Sequence, residues 1–356
     1  MNDGLIADRF SVSGCLLGTA VGDAIGLPYE NLSRRRAQKL LGPPDRHRFF
    51  FRRGMVSDDT EHACLVAQSL IASGLDAGEF QRQFARRLRR WLCGVPAGVG
   101  KATLFAGFRL CLGFSPDRSG VFSAGNGPAM RSPLLGLIAR DERHLADLVH
   151  ASTRITHTDP KAEWAAHAVA LAAREAGRSE NPDAGRYLHT VRAAIGENGE
   201  ELLELLHAAV DSASRGQPTP DFAAALGFPQ RVTGYALHTV PVAVQAWLLH
   251  PRDFSQAVTS VIECGGDADT TAAIVGGIVG AAVGVEGIPK AWIDGLFEHP
   301  RSAAWMNRLA EQLARVAESG NPEQPIRLPL LPLLVRNLLF LSIVLTHGFR
   351  RLLPPY

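Results

Sequence analysis

Two short acidic clusters interrupt otherwise apolar stretches of the chain: Ser57-Asp58-Asp59-Thr60 and Gly265-Gly266-Asp267-Ala268-Asp269-Thr270-Thr271. Each offers two carboxylates and at least one hydroxyl within four residues, where a loop enters a predicted helix. Oxygen-only sets of this kind suit a hard divalent cation such as Mg²⁺ or Mn²⁺. Brought together, the clusters would supply four carboxylates, enough for a pair of metals that orients and activates a water. The first cluster also reads as plain helix capping, through Ser57-x-x-Thr60 or Asp58-x-x-Glu61. The second resists that reading. Asp267 and Asp269 lie between two glycines and an uncharged helix, where an unpaired carboxylate is destabilising, and the glycine pair suggests backbone folded tightly around a ligand.

Other polar residues are weaker signals taken singly. Asp23 follows a ridge of small residues and reads as structural, whereas Glu30 lies on the exit loop of the N-terminal helix. The turn-rich run Gly125-Asn126-Gly127-Pro128-Ala129-Met130-Arg131 could line a phosphate site with backbone N–H groups, or be only a loop. His157 stands beside a helix start in Thr156-His157-Thr158-Asp159-Pro160, and Tyr235 opens an apolar helix as either core or a stacking platform for a base. Gly98-Val99-Gly100-Lys101 lacks the first glycine and the preceding strand of a phosphate loop and is set aside.

The elements that must position these residues are helical. Apolar stripes at three- and four-residue spacing run through 61–73, 162–176, 200–214, 240–249 and 253–262. The best strand candidates, Arg48–Arg53 and Val121–Ala124, are short, and Gly and Pro mark loops at 94–100, 113–128 and 215–229. Gly14, Gly18 and Gly22 form one small-residue ridge, and Gly276, Gly280 and Gly284 another; each lets a neighbouring backbone come close. The second ridge lies in Thr270–Val285, nearly free of charge but shorter than the roughly 20 residues of a membrane span, so it predicts a buried central helix.

Composition bounds the function classes. The chain has 356 residues, 46% of them apolar, and a net charge of +2, which excludes extended disorder and a nucleic-acid-wrapping chain; no stable nucleic-acid binding is expected. Five scattered cysteines without a CxxC form neither a disulfide framework nor a zinc knuckle, and MNDGLIADRF lacks a signal-peptide layout, so a cytoplasmic location is expected. Residues 321–356 hold four arginines and one acid, leaving the rest at −1. Within them Leu328–Leu345 is strongly apolar, though its uncharged stretch Leu338–Leu345 is too short to span a bilayer. A helix there is expected to pack on its own domain or on a second subunit, in preference to lying on a membrane surface.

In this order the segments GCLLGTAVGDAIGLPYE (14–30), SDDT (57–60), GNGPAMRSP (125–133), THTDP (156–160), TGYALHTV (233–240) and GGDADTTAAIVGGIVGA (265–281) resemble the ADP-ribosylglycohydrolases. The resemblance implies an all-α, compact orthogonal multi-helix fold over residues 1–315, with a two-metal cleft and a C-terminal extension over 316–356. It implies Ser57, Asp58, Asp59, Asp267, Asp269 and Thr270 as ligands of two divalent cations, Mg²⁺ or Mn²⁺. Ser57 stands where family members commonly have Thr, so the hydroxyl is retained. The resemblance sets Glu30 near the metals and the distal ribose, Asn126 and Gly127 around the ribose and phosphates, and His157 and Tyr235 facing ADP-ribose. Glu30 and Asp59 are the expected catalytic carboxylates. The implied activity is hydrolysis of the glycosidic bond between ADP-ribose and an acceptor, an ADP-ribosylated protein side chain before other conjugates. The alternatives are a non-catalytic ADP-ribose-binding module and a hydrolase of another nucleotide-ribose glycoside.

Overall fold

Glycines spaced four apart on two apolar helices allow the backbones of those helices to touch, and this contact organises the fold. The computed structural model describes residues 8–179 and 181–353. Seven helices build or wall the site: α1 (Arg9–Gly26), α2 (Asp58–Ser73), α3 (Pro160–Arg178), α4 (Ala236–Leu249), α5 (Ala268–Val283), α6 (Ala303–Ser319) and α7 (Leu330–Arg351). Others, including Ala77–Cys93, Glu142–Arg154 and Glu200–Ser214, pack around them. The all-α expectation holds.

α1 and α5 lie antiparallel, with Gly14 against Gly280, Gly18 against Gly276, Gly22 against Ala272 and Gly26 against Ala268. A β-carbon on any of these four α1 glycines would fall within 3.0 Å of a facing carbonyl oxygen. The two sequence ridges are therefore the two halves of one contact. Gly284 belongs to it as well, its α-carbon 2.7 Å from where a β-carbon on Gly14 would stand, and it ends α5 at φ 65° with the Phe10 ring beneath it. Every residue of α5 is buried, and the helix also packs on α3, α4 and Phe254–Ile262. Because the pair is antiparallel, the C-terminal end of α1 meets the N-terminal end of α5. That junction brings Asp23 and Glu30 to the Asp267–Thr270 cluster.

Strands are confined, among the described residues, to β1 (Leu32–Ser33) and β2 (Gly265–Gly266), paired antiparallel with Leu32 opposite Gly266. Neither stretch favoured for a strand forms one. Arg48–Arg53 closes a turn with a single Phe50–Arg53 bridge, Phe51 and Arg52 having φ 44° and 64°, and Val121 makes one bridge to His157. β2 gave no alternating signal because it is made of two glycines at φ 71° and 88°. Three segments within the expected loops, Pro116–Ser119, Gly127–Met130 and Thr219–Ala225, are short helices with Pro in their first turn.

α6 runs through residue 315 to Ser319, and residues 320–329 lead without regular structure into α7. Two stretches, Arg9–Tyr29 and Leu330–Arg351, are long and apolar enough to cross a membrane; 94% of the first is buried inside the body. α7 docks on the body by its polar side. Arg336 pairs with Glu61 at 3.0 Å and Glu298 at 2.6 Å, Asn337 Nδ2 donates to the Gly94 carbonyl at 2.8 Å, and the Phe340 ring lies 5.4 Å from that of Phe49. The expectation of a helix packed on its own domain is met by this inward face.

Candidate active site

α2 begins at the first acidic cluster. Ser57 caps it, its Oγ accepting from the Asp59 amide at 3.3 Å while donating to Asp59 Oδ2 at 3.0 Å. Asp23, at the end of α1, holds this turn in place. Its carboxylate accepts from the Ser57 amide at 2.9 Å, the Thr60 amide at 3.2 Å and Thr60 Oγ1 at 2.5 Å. Asp23 is structural, as the sequence suggested, and the hydrogen bonds only partly oppose a burial that pushes its carboxyl up to about 7. Glu61 does not complete a capping box. It turns away to Arg301 at 2.8 Å, to Arg336 and to the Trp91 indole; burial alone would raise its carboxyl, but these partners bring it below the usual range.

α5 begins at the second cluster. Asp267 occupies the N-cap position without capping: Asn126 Nδ2 donates to its Oδ2 at 2.6 Å. The glycine pair makes this approach possible, since a β-carbon at Gly266 would overlap the Val232 carbonyl, to which the Asp267 amide donates at 2.8 Å. Thr270 Oγ1 donates to Asp59 Oδ2 at 3.2 Å, so the two clusters, 211 residues apart in sequence, meet directly. Glu30 joins them through β1: the Asn31 amide donates to the Gly266 carbonyl at 2.6 Å, and Asn31 Nδ2 holds Glu30 Oε1 at 2.8 Å.

The electrostatics are those of crowded, buried acids. Burial first, then repulsion from Asp23, Glu61 and Glu30, raises the Asp58 carboxyl well above its usual range; burial with Asp23, Asp58 and Asp267 does the same at Asp59. Burial with Glu30, Asp267, Asp59 and Asp23 raises Asp269. Asp267 and Glu30 are also raised, Asp267 by burial and Glu30 by burial and Asp267. Asp59 Oδ1 and Asp269 Oδ1 are buried with no hydrogen-bond partner. Among the described residues no three Asp, Glu, His or Cys groups are already set around one metal position; the hydroxyls of Ser57 and Thr270 stand between the carboxylates instead.

A second wall comes from the 125–131 loop. The Asn126 amide donates to the Gly234 carbonyl at 3.0 Å, and Gly125 bridges Tyr235, so the loop and the start of α4 are one unit. His157 is buried beneath it. A β-carbon at Gly125 or Gly127 would stand 3.0 Å or 3.1 Å from the imidazole, so glycine at both positions lets the loop lie directly on the ring. Burial and then Arg131 lower the His157 pKa to about 3, so the ring is neutral. Tyr235 is half-buried, with Lys161 Nζ 3.2 Å from its hydroxyl.

Two arginines escaped the sequence reading. Arg131 is fully buried, donating to Ser152 and Thr156, and burial lowers it to about 9 while Asp58 pulls it back up. Arg351, from the last turn of α7, donates to the Pro28 carbonyl at 3.0 Å and pulls Glu30 downward against its burial. Arg131 was visible in its motif without a partner to suggest a role; Arg351 gave no local signal, its hydrogen-bond partner Pro28 being 323 residues away. A separate cavity of about 390 Å³ lies behind Tyr29, lined by Arg34, Gln38, Gly42 and Glu263 and by none of the six clustered acids.

A helical body in which two acidic helix starts meet at one junction defines a class, and comparison with known proteins identifies it. Residues 5–323 match the family model described as ADP-ribosylglycohydrolase, and the chain belongs to that family. It is 29% identical over 298 residues to the ADP-ribosyl-[dinitrogen reductase] glycohydrolase of Rhodospirillum rubrum, spanning 80% of this chain and 89% of the relative. Over 325 residues it is 27% identical to the ADP-ribosylarginine hydrolase Tri1 of Pseudomonas putida, spanning 84% and 76%. A solved structure described as an ADP-ribosylglycohydrolase-related protein complex superimposes with a TM-score of 0.61 at 29% identity, covering 87% of this chain and 98% of that one.

Proposed function

We propose that this protein is a divalent-metal-dependent hydrolase that releases ADP-ribose from a modified protein side chain. The observation that carries the reading is the junction of the two acidic helix starts, where Asp59 Oδ1 and Asp269 Oδ1 are buried without partners. Repelling, unpartnered carboxylates inside a protein call for a cation, and an all-oxygen donor set fits Mg²⁺ or Mn²⁺. Ser57, Asp58 and Asp59 on one side, and Asp267, Asp269 and Thr270 on the other, would hold two such ions. Bound there, the ions supply positive charge that binds ribose hydroxyls and acidifies a water.

The remaining chemistry belongs to the chain. Asp59 or Glu30, whose environments raise their proton affinity, takes the proton of the attacking water. Attack at C1″ of the distal ribose breaks the bond to the acceptor, and the clustered carboxylates stabilise the positive charge that develops at that carbon. Asn126 orients Asp267 and, with Gly127, presents backbone to the ribose and phosphates. Neutral His157 offers a hydrogen bond without a charge, and Tyr235 gives the nucleotide a ring face. The names of the relatives, which act on ADP-ribosyl-dinitrogen reductase and ADP-ribosylarginine, support a protein acceptor.

The test is incubation with substrates ADP-ribosylated on Arg, on Ser and on nucleic-acid bases, in Mg²⁺, Mn²⁺ or chelator, reading free ADP-ribose. Metal-dependent release from a protein conjugate, abolished by Asp269→Asn, is expected. Binding of ADP-ribose without release from any conjugate would make the protein a binding module and overturn the proposal.

A further inference from the structure

α7 is built inside out. Arg336 and Asn337 are buried against the body beside Phe340 and Ile343, while the outer face between Leu331 and Phe349 is apolar and exposed. That face has a strict pattern: Leu331, Val335, Leu338, Ser342, Leu345 and Phe349, ending at Leu352, follow alternating steps of four and three. Every one of these positions is exposed. A 3.5-residue repeat kept over the whole helix is the seam of a coiled coil, narrower than the stripe a helix uses to cover a core. The residues flanking the seam, including Leu334, Leu339, Leu341 and Thr346, carry no charge.

We propose that this face is a dimer interface occupied by the same helix of a second copy of the chain, the two helices antiparallel and crossing at Ser342. Three observations select that occupant. The exposed leucines, with Val335 and Phe349, present on the order of 1,000 Å² of apolar surface. That exceeds the largest patch of an ordinary monomer and matches the roughly 800 Å² per partner of a stable interface. The seam has no cation between Leu331 and Phe349, whereas a helix lying on an anionic lipid surface carries Lys and Arg along its polar side; here that side is consumed by Glu61 and Glu298. An antiparallel pairing keeps the Arg350-Arg351 ends apart, where a parallel one would stack four guanidinium groups. Ser342 is the middle of the seven seam positions, with three on either side, which places the two-fold axis there.

Light scattering and sedimentation of the full chain at micromolar concentration test this. The wild type is expected at twice 38.3 kDa, and Leu338→Arg with Leu345→Arg, both outward-facing, is expected to be monomeric with an unchanged melting temperature. In a background with Cys93 and Cys111 replaced by Ser, Ser342→Cys is expected to form an intermolecular disulfide on mild oxidation and Leu352→Cys is not. A monomeric wild type, a dimer that survives both arginines, or equal crosslinking at 342 and 352 overturns the proposal. So does a monomer that sediments with anionic vesicles and loses them on Leu338→Arg, which would assign the face to lipid.

Discussion

Gly18→Ala probes the link between the helix contact and the site. A β-carbon at Gly18 would lie 2.2 Å from the Gly276 carbonyl oxygen and 3.1 Å from the Gly280 α-carbon. Both neighbours are backbone on a fully buried helix, so no side chain can yield; α1 and α5 must part by roughly 1 Å or bend. Overpacking of this kind costs about 3 kcal/mol, and the gain in helix propensity from Gly to Ala returns about 1 kcal/mol. The net loss of about 2 kcal/mol corresponds to roughly 3 °C in Tm, at about 2.1 cal/mol/K of unfolding entropy per residue. The separation also moves Asp23 and Glu30 away from Asp267 and Asp269, and displacements near 1 Å cost up to about 100-fold in rate. Gly78→Ala is the control: it sits on an exposed first helical turn, where the nearest atom to a new β-carbon is 3.5 Å away. Calorimetry and an ADP-ribose release assay on both variants decide the matter. A Gly18→Ala protein as stable and as active as the wild type would refute the reasoning, because propensity alone predicts a gain.

Three further outcomes are expected. His167 is buried, which lowers its pKa to about 4. It therefore contributes full stability above the unfolded value near 6.5 and loses it as pH falls toward 4, about 3 kcal/mol in all. Denaturant titration should show wild-type stability falling relative to His167→Gln through that window, and parallel curves would contradict the neutral buried ring. Arg336→Ala strands Glu298 and weakens the partnering of Glu61, costing about 3 kcal/mol or more; thermal melts should show it, and a loss under about 0.5 kcal/mol would mean the pair is not desolvated. Asn126→Ala removes the 2.6 Å hydrogen bond to Asp267. Metal affinity should fall roughly 10–100-fold by calorimetry, and unchanged affinity would detach Asn126 from the centre.

Much of the fold was legible because helices advertise themselves locally. The stripes at 162–176 and 200–214 match Pro160–Arg178 and Glu200–Ser214 closely, since their apolar faces are set by residues three and four apart. The glycine ridges announced close approach, but not that they face each other, which is a long-range fact. β1 and β2 left no trace because two-residue strands have no period to display. The candidate site was legible as residue types: all four clustered aspartates and Glu30 lie at the α1–α5–α2 junction. What surrounds them was not. Arg336 registered only as an interruption of an apolar run, since its partners Glu61 and Glu298 are 275 and 38 residues away. Arg351 likewise reaches the Glu30 loop from the far end of the chain.

The most direct test of the metal centre is calorimetric titration of chelator-stripped protein with Mn²⁺, for the wild type, Asp59→Asn and Asp269→Asn. ADP-ribose release from an arginine- or serine-linked conjugate is read on the same samples. The account predicts two Mn²⁺ bound per wild-type chain, with metal binding and release lost together in either variant. Release that persists in chelator, or variants that bind Mn²⁺ as the wild type does, would contradict it.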